Sequence, residues 1–298
     1  MSAPIRPTPF PPKGIIWLAS YPKSGNTWFR LFLQALLTPE AAELDPDRVK
    51  FEIASSRAII DDYSCIDSSD LSHDETDALR PGSYEQMLRE SPTPRLFLKV
   101  HDAYQRLSNG RSLFPTAATA GVLYLVRNPL DVAVSFAYHS GHSGFDRSIK
   151  LLADDAYATA AGVNHLNAQL RQVMLSWSGH VASWLDQPKV PVHLIRYEDM
   201  CAEPQRTFSA AVRGAGLDFD ENDVAVALEK CRFEKLRDWE KQNLFREKAP
   251  NCEHFFRSGR AGSWREALTP TQADAIVERH REMMRRLGYL TSSGEPVY

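Results

Sequence analysis

Apolar residues in this chain come in short blocks set between polar turns. The first block, Ile15 to Ala19, predicts a strand at about Gly14 to Ala19, and the stretch after the next polar turn predicts a helix from about Thr27 to Leu37. RLFLKVHD, Arg95 to Asp102, is a second block, and GVLYLV, Gly121 to Val126, a third strand. Asn128 then stands as an N-cap with Pro129 at the first helical position. VPVHLIRYEDM, Val190 to Met200, predicts a further buried strand followed by Tyr197 and two acids. Helical spacing predicts a helix over Asn164 to Asp186, with Leu166, Leu170, Val173, Trp177, Val181 and Trp184 on one face. It also predicts helix from Glu203 to about Leu236, broken near Gly214 to Glu221, and a last helix over Thr271 to Leu287. Thr38 to Pro94 predicts short helices and loops, and Gly141 to Gly162 a loop or cap.

Short apolar strands alternating with helices predict an α/β fold, a central parallel sheet flanked by helices. The expected layout is an extended Pro-rich arm over residues 1–13, one domain over 14–290 and a tail over 291–298. In such sheets ligands sit outside the carboxyl ends of the strands. Lys23, His101, Arg127 and Tyr197 each follow a predicted strand end, so one cleft collects all four.

Composition narrows the choice. A formal net charge of −3 over 298 residues argues against a nucleic-acid partner held by a general basic field, so any anion site is local. No apolar run approaches the roughly 18 residues of a membrane span, VLYLV before Arg127 being the longest candidate. The first residues lack the apolar core of a signal peptide, and a cytoplasmic protein is expected. Cys65, Cys201, Cys231 and Cys252 are scattered without metal-ligand spacing, so neither a disulfide nor zinc is expected. The acid pairs Asp61-Asp62, Asp154-Asp155 and Glu198-Asp199 are likewise read as solvated, with no metal.

The turn Lys23-Ser24-Gly25-Asn26-Thr27 offers backbone N–H groups, two hydroxyls, an amide and an ammonium where a helix begins, which makes a phosphate cradle. It is not the G-x-x-x-x-G-K-[ST] loop of ATP-binding proteins, because Gly25 is its single glycine and Lys23 precedes it. Arg127 and Ser135, eight residues apart across a strand end and the first helical turns, can close on one phosphate. His101 is the candidate base, and strand alternation sends Lys99 to the same side. His139, His142, His165, His180 and His254 are read as core or surface residues.

Three segments carry a resemblance. YPKSGNTW (21–28) resembles the 5′-phosphosulfate loop of the cytosolic-type sulfotransferases, which use 3′-phosphoadenosine 5′-phosphosulfate (PAPS) as co-substrate. LYLVRNPLDVAVSFAYH (123–139) is similar to that family's 3′-phosphate segment, and FFRSGRAGSWREALT (255–269) to its RKGxxGxW element. The resemblance implies a single α/β domain of nucleotide-kinase-like, P-loop type. It implies that Lys23 touches the 5′-phosphate and bridging oxygen, that Ser24, Gly25, Asn26 and Thr27 hold the 5′-phosphate, and that Trp28 packs on adenine. Arg127 and Ser135 are implied to bind the 3′-phosphate, aided by Arg257 and the backbone of Ser258 and Gly259, with Tyr197 and Phe233 lining the adenine pocket. His101 is the implied base, and Lys99 lies near the sulfonate.

Departures are local. Ser258 replaces a lysine of the RKG element, Ser263 an acid before Trp264, and Asn26 a frequent threonine. Asp102 stands where relatives often have Leu-Pro, and either orients His101 or faces water. The KxxxTVxxxE dimer signature does not appear near Arg279 to Tyr298, so a homodimer through that motif is not expected and the oligomeric state stays open. The expected acceptor is a small molecule with a hydroxyl or amine, held by walls within Phe51 to Tyr84 and Gly141 to Val163. The rival readings are a phosphoryl-transfer enzyme on a related fold and a non-catalytic nucleotide-binding protein.

Overall fold

The computed structural model describes residues 9–41, 44–49, 51–250 and 252–298; the first eight residues of the expected Pro-rich arm lie outside them. The chain runs through β1 (Gly14–Ser20), α1 (Asn26–Leu37), β2 (Glu52–Ile53), α2 (Arg57–Ser64), α3 (His73–Glu90), β3 (Arg95–Val100) and β4 (Thr119–Val126). Next come α4 (Pro129–His139), α5 (Asp146–Ala153), β5 (Ala158–Thr159), β6 (Gln172–Val173), α6 (Trp177–Leu185) and β7 (Val192–Arg196). The last helices are α7 (Tyr197–Ala202), α8 (Pro204–Gly214), α9 (Glu221–Lys230), α10 (Phe233–Gln242) and α11 (Pro270–Arg286).

Five strands form the central sheet in the order β2-β3-β1-β4-β7, and the paired strands are parallel throughout. Parallel sheets need both faces covered, and β1 meets that need by alternation. Ile15, Trp17 and Ala19 enter a core with Tyr84, Phe114, Trp177 and Trp184. Ile16 and Leu18 enter the opposite core with Phe29, Phe32 and Phe208. The molecule is therefore the single α/β domain that the alternation of blocks predicts.

Three stretches differ from expectation. The helix expected over Asn164 to Asp186 exists only as Trp177–Leu185, and Leu166 is 61% exposed. The backbone of the earlier residues pairs elsewhere: Arg57 N–H donates to Ala168, Leu170 N–H to Ser55, and Ala103 N–H to Val173. Those partners belong to the strand ends beside the cleft, and they outcompete an isolated helix. Within Thr38 to Pro94 stands a long helix, α3, opened by a Ser72/Glu75 capping box. It carries no apolar stripe because its buried face holds Asp77, Arg80 and Ser83, and Pro81 lies inside it. Within Gly141 to Gly162, Asp146–Ala153 forms α5.

Both flanks pack on the domain. Phe10 is buried and its N–H donates to the Gly214 carbonyl, while the Trp264 indole N–H donates to the Tyr298 carbonyl at 2.8 Å.

Candidate active site

At the carboxyl ends of β1, β3, β4 and β7 opens a cavity of about 870 Å³, and Lys23, His101, Arg127 and Tyr197 all line it. The convergence expected from strand ends alone is thus met. Its two ends differ in construction.

The first end begins with the turn between β1 and α1. Lys23 (φ 69°) and Gly25 (φ 96°) hold left-handed backbone, a conformation found in the turns whose N–H groups form anion-binding concavities. A Cβ on Gly25 would stand 2.7 Å from the Tyr197 ring, so this close approach admits only glycine. Two sequence expectations need correction here. Ser24 is fully buried and absent from the cavity lining, so its hydroxyl is not a cavity donor. The Asn26 amide donates to the Leu18 carbonyl (2.9 Å) and the Ser20 hydroxyl (3.2 Å) and accepts from Arg30 Nε (3.0 Å). It ties the turn to β1 and keeps only its backbone for a ligand.

Beyond the turn, Arg127 lies over the Tyr197 ring at 4.2 Å and donates to the carbonyls of Lys23 (3.4 Å) and Arg260 (3.2 Å). Its Nε is buried and has no protein partner. Trp28 and Tyr197 meet edge-on at 6.2 Å, and Phe233, Ser135, Arg257, Ser258 and Gly259 complete the lining. A residue missed in the sequence, Asp131, holds this end together. One carboxylate oxygen accepts from Gly262 N–H at 2.7 Å, and the other from the Ser263 hydroxyl and Trp264 N–H at 3.0 Å. The segment carrying Arg257 is thereby fastened to the first turn of α4.

At the second end stands His101. Its Nδ1 lies 2.8 Å from the Ser20 carbonyl, and since a carbonyl only accepts, Nδ1 carries the proton and Nε2 keeps its lone pair. Burial, reinforced by the Lys99 charge, pushes this imidazole well below its usual range, so it is neutral at pH 7. Burial also lowers Lys23 and Lys99 to about 8 each, with neighbouring cations adding to the effect and Glu247 opposing it. Lys23 Nζ sits over the Phe255 ring at 4.3 Å.

Asp102 takes neither expected role. It is fully buried, and its carboxylate receives two hydrogen bonds from Arg80, at 2.9 and 2.8 Å. Arg80 also bonds the Tyr84 hydroxyl, so the pair braces the loop behind His101. His180, read as a core residue, is one: it bonds the Tyr124 hydroxyl and the His101 carbonyl. Glu198, read as solvated, is buried and accepts from Asn128 N–H and the Tyr289 hydroxyl.

Sequence reasoning also missed Glu247. Its carboxylate accepts from the Thr27 hydroxyl (2.9 Å) and Arg30 (2.5 Å), and lies 3.7 Å from Lys99. Burial alone would raise this carboxyl, but the Lys99 and Arg30 charges with the hydrogen bonds from Arg30 and Thr27 bring it down to about 2. No spacing in the sequence signals it, because its partners lie over 140 positions away. Among the described residues no cluster of acids, histidines or cysteines could hold a metal ion. The side chains aimed into the cavity suit a molecule with anionic groups at both ends: Arg127 and Arg257 at one, Lys23 and Lys99 at the other.

Comparison with known proteins decides the family. The sulfotransferase domain family matches residues 13–288. This chain belongs to the sulfotransferase family. Sulfotransferases move a sulfonyl group from a donor to an acceptor, and the relatives found agree. Flavonol 3-sulfotransferase of Flaveria bidentis is 26% identical over 276 residues, spanning 88% of this chain and 78% of the relative. Cytosolic sulfotransferase 10 of Arabidopsis thaliana is 25% identical over 276 residues, spanning 88% and 75%. A crystal structure of retinol dehydratase in complex with androsterone and the inactive cofactor PAP shares the fold at a TM-score of 0.62 and 19% identity, covering 91% of this chain and 80% of that one.

Proposed function

We propose that this sulfotransferase moves a sulfonyl group from PAPS to a hydroxyl or amine of a small-molecule acceptor, with His101 as base and Lys23 neutralising the leaving group. The observation that carries the assignment is the pairing of a neutral imidazole, its Nε2 lone pair free, with two lysines in the same cavity. His101 Nε2 takes the proton of the attacking O–H or N–H. The acceptor atom bonds to sulfur as the bond from sulfur to the bridging oxygen breaks, and the electron pair stays on the 5′-phosphate. Lys23 meets that charge and Lys99 the sulfonate oxygens, so catalysis is positioning plus electrostatic stabilisation.

In this reading Arg127, Ser135 and Arg257, with the backbone of Ser258 and Gly259, hold the 3′-phosphate. Gly25, Asn26 and Thr27 hold the 5′-phosphate through the start of α1, and Trp28, Tyr197 and Phe233 enclose the adenine. Glu247 then leaves Thr27 and Lys99 as the donor's anionic end takes the same partners. Relatives named cytosolic support a cytoplasmic setting, and we take residues 14–290 as the functional unit.

The test is transfer of labelled sulfonate from PAPS to a panel of phenols, alcohols and amines, with calorimetry of 3′-phosphoadenosine 5′-phosphate (PAP) alongside. Transfer without added metal, lost in Lys23→Ala, is the expected result. Transfer from ATP with Mg²⁺ instead would establish the phosphoryl-transfer rival, and PAP binding with no transfer to any acceptor the binding-protein rival.

A further inference from the structure

Beyond His101, a second imidazole faces the cavity. His139 ends α4 one turn after Ser135, and residues four apart share a helix face, so both line the same cavity. Its Nδ1 is buried and has no hydrogen-bond partner in the protein. Its ring meets the Phe255 ring edge-on at 5.9 Å, and Phe255 in turn carries Lys23. Burial and the charges of Lys23 and Lys99 lower this imidazole to about 4, so it is neutral at pH 7. A buried, unpartnered ring nitrogen beside an apolar ring costs free energy unless a ligand bonds it. The same cavity is also lined by Gln172, which donates to Thr159 and Gln169 and comes from the β5–β6 hairpin.

Resting on the sulfonyl-transfer reading, we infer that His139 is a specificity-determining residue whose imidazole hydrogen-bonds a second hydroxyl on the acceptor, so the preferred acceptors carry a hydroxyl in addition to the one that reacts. A site built around such a bond discriminates against an analogue lacking the group, because the imidazole is then left unpaired. An apolar monohydroxy acceptor is the disfavoured case.

The experiment compares catechol, resorcinol and phenol as acceptors of labelled sulfonate from PAPS, with the wild-type protein, His139→Phe and His139→Asn. In the wild type, kcat/KM for at least one dihydroxy acceptor exceeds that for phenol by tenfold or more. His139→Phe brings this ratio to within about threefold of one, mainly through KM, and His139→Asn restores part of it. PAP affinity stays within twofold in both variants. A ratio unchanged by His139→Phe, or a wild type without the preference, overturns the inference while leaving sulfonyl transfer standing. Wild-type protein that transfers to no acceptor at all fails the underlying reading instead. Should His139→Phe not fold, His139→Asn and His139→Ala carry the same ratio test.

Discussion

The end of the cavity around Arg127 and Tyr197, which we propose holds the nucleoside, and the end around His101 and Lys99, which we propose performs transfer, are built on different principles. At the end proposed to hold the nucleoside, strand ends set the positions: Arg127 follows β4 and Tyr197 follows β7, while one carboxylate, Asp131, fastens the Arg257 segment to α4 and lies 3.8 Å from Arg127. At the transfer end, charges hold one another. Glu247 bridges Thr27, Arg30 and Lys99, and the loop behind His101 depends on the ion pair between Arg80 and Asp102. Preformed backbone suits a ligand held for its shape, whereas exchangeable ion pairs suit a place where charge moves during reaction.

That contrast is open to attack by mutation. The largest effect is expected from His101→Ala, which should lower kcat by about 10²–10⁴-fold while leaving PAP affinity within twofold. An equal loss of PAP binding would merge the two ends into one. Next comes Asp102→Ala, which takes the doubly bonded carboxylate from the buried Arg80 guanidinium and leaves it Asp77 at 3.2 Å as its remaining anion. Breaking a buried pair costs about 3–5 kcal/mol, to be read as a lowered urea midpoint at unchanged slope.

Arg127→Ala should act at the other end alone. Losing charge-assisted hydrogen bonds worth about 1.5–3 kcal/mol weakens PAP by roughly ten- to a hundredfold in calorimetry, with kcat at saturating donor little changed. Glu247→Gln removes the resident carboxylate charge, and PAP or PAPS should then bind several-fold tighter. Weaker binding would make Glu247 a scaffold of the donor site rather than its competitor. The mildest effect is one of pH. Lys23 and Lys99, lowered to about 8, are charged below that value and lose the charge above it, so kcat/KM for the donor falls as pH rises past about 8. His101, neutral well below its usual range, adds no fall between pH 8 and 6.5.

Legibility in the sequence follows the same division. The nucleoside end was readable because its residues sit in contiguous segments at strand ends: the Lys23 turn, the Arg127 to Ser135 stretch, and Phe255 to Trp264. The sheet was readable for a similar reason, since short apolar blocks encode buried parallel strands. The transfer end was readable in Lys23, Thr27, Lys99 and His101, but not in the charges that hold them. Glu247, Arg30 and His139 act through contacts between distant segments, and no local pattern marks them. The helix over Asn164 to Asp186 failed because the strand ends offered its first half better hydrogen-bond partners. Helix α3 was missed because a helix that buries Arg80 and Asp77 shows no apolar stripe.

The two lysines at about 8 have a consequence outside catalysis. A surface ammonium is almost wholly protonated at physiological pH, whereas Lys23 and Lys99 each keep an appreciable share of free amine. Acylating reagents should therefore modify these two ahead of other lysines, and bound nucleotide should shield them. The same burial that readies the pocket for an anion makes it a target for covalent inhibitors.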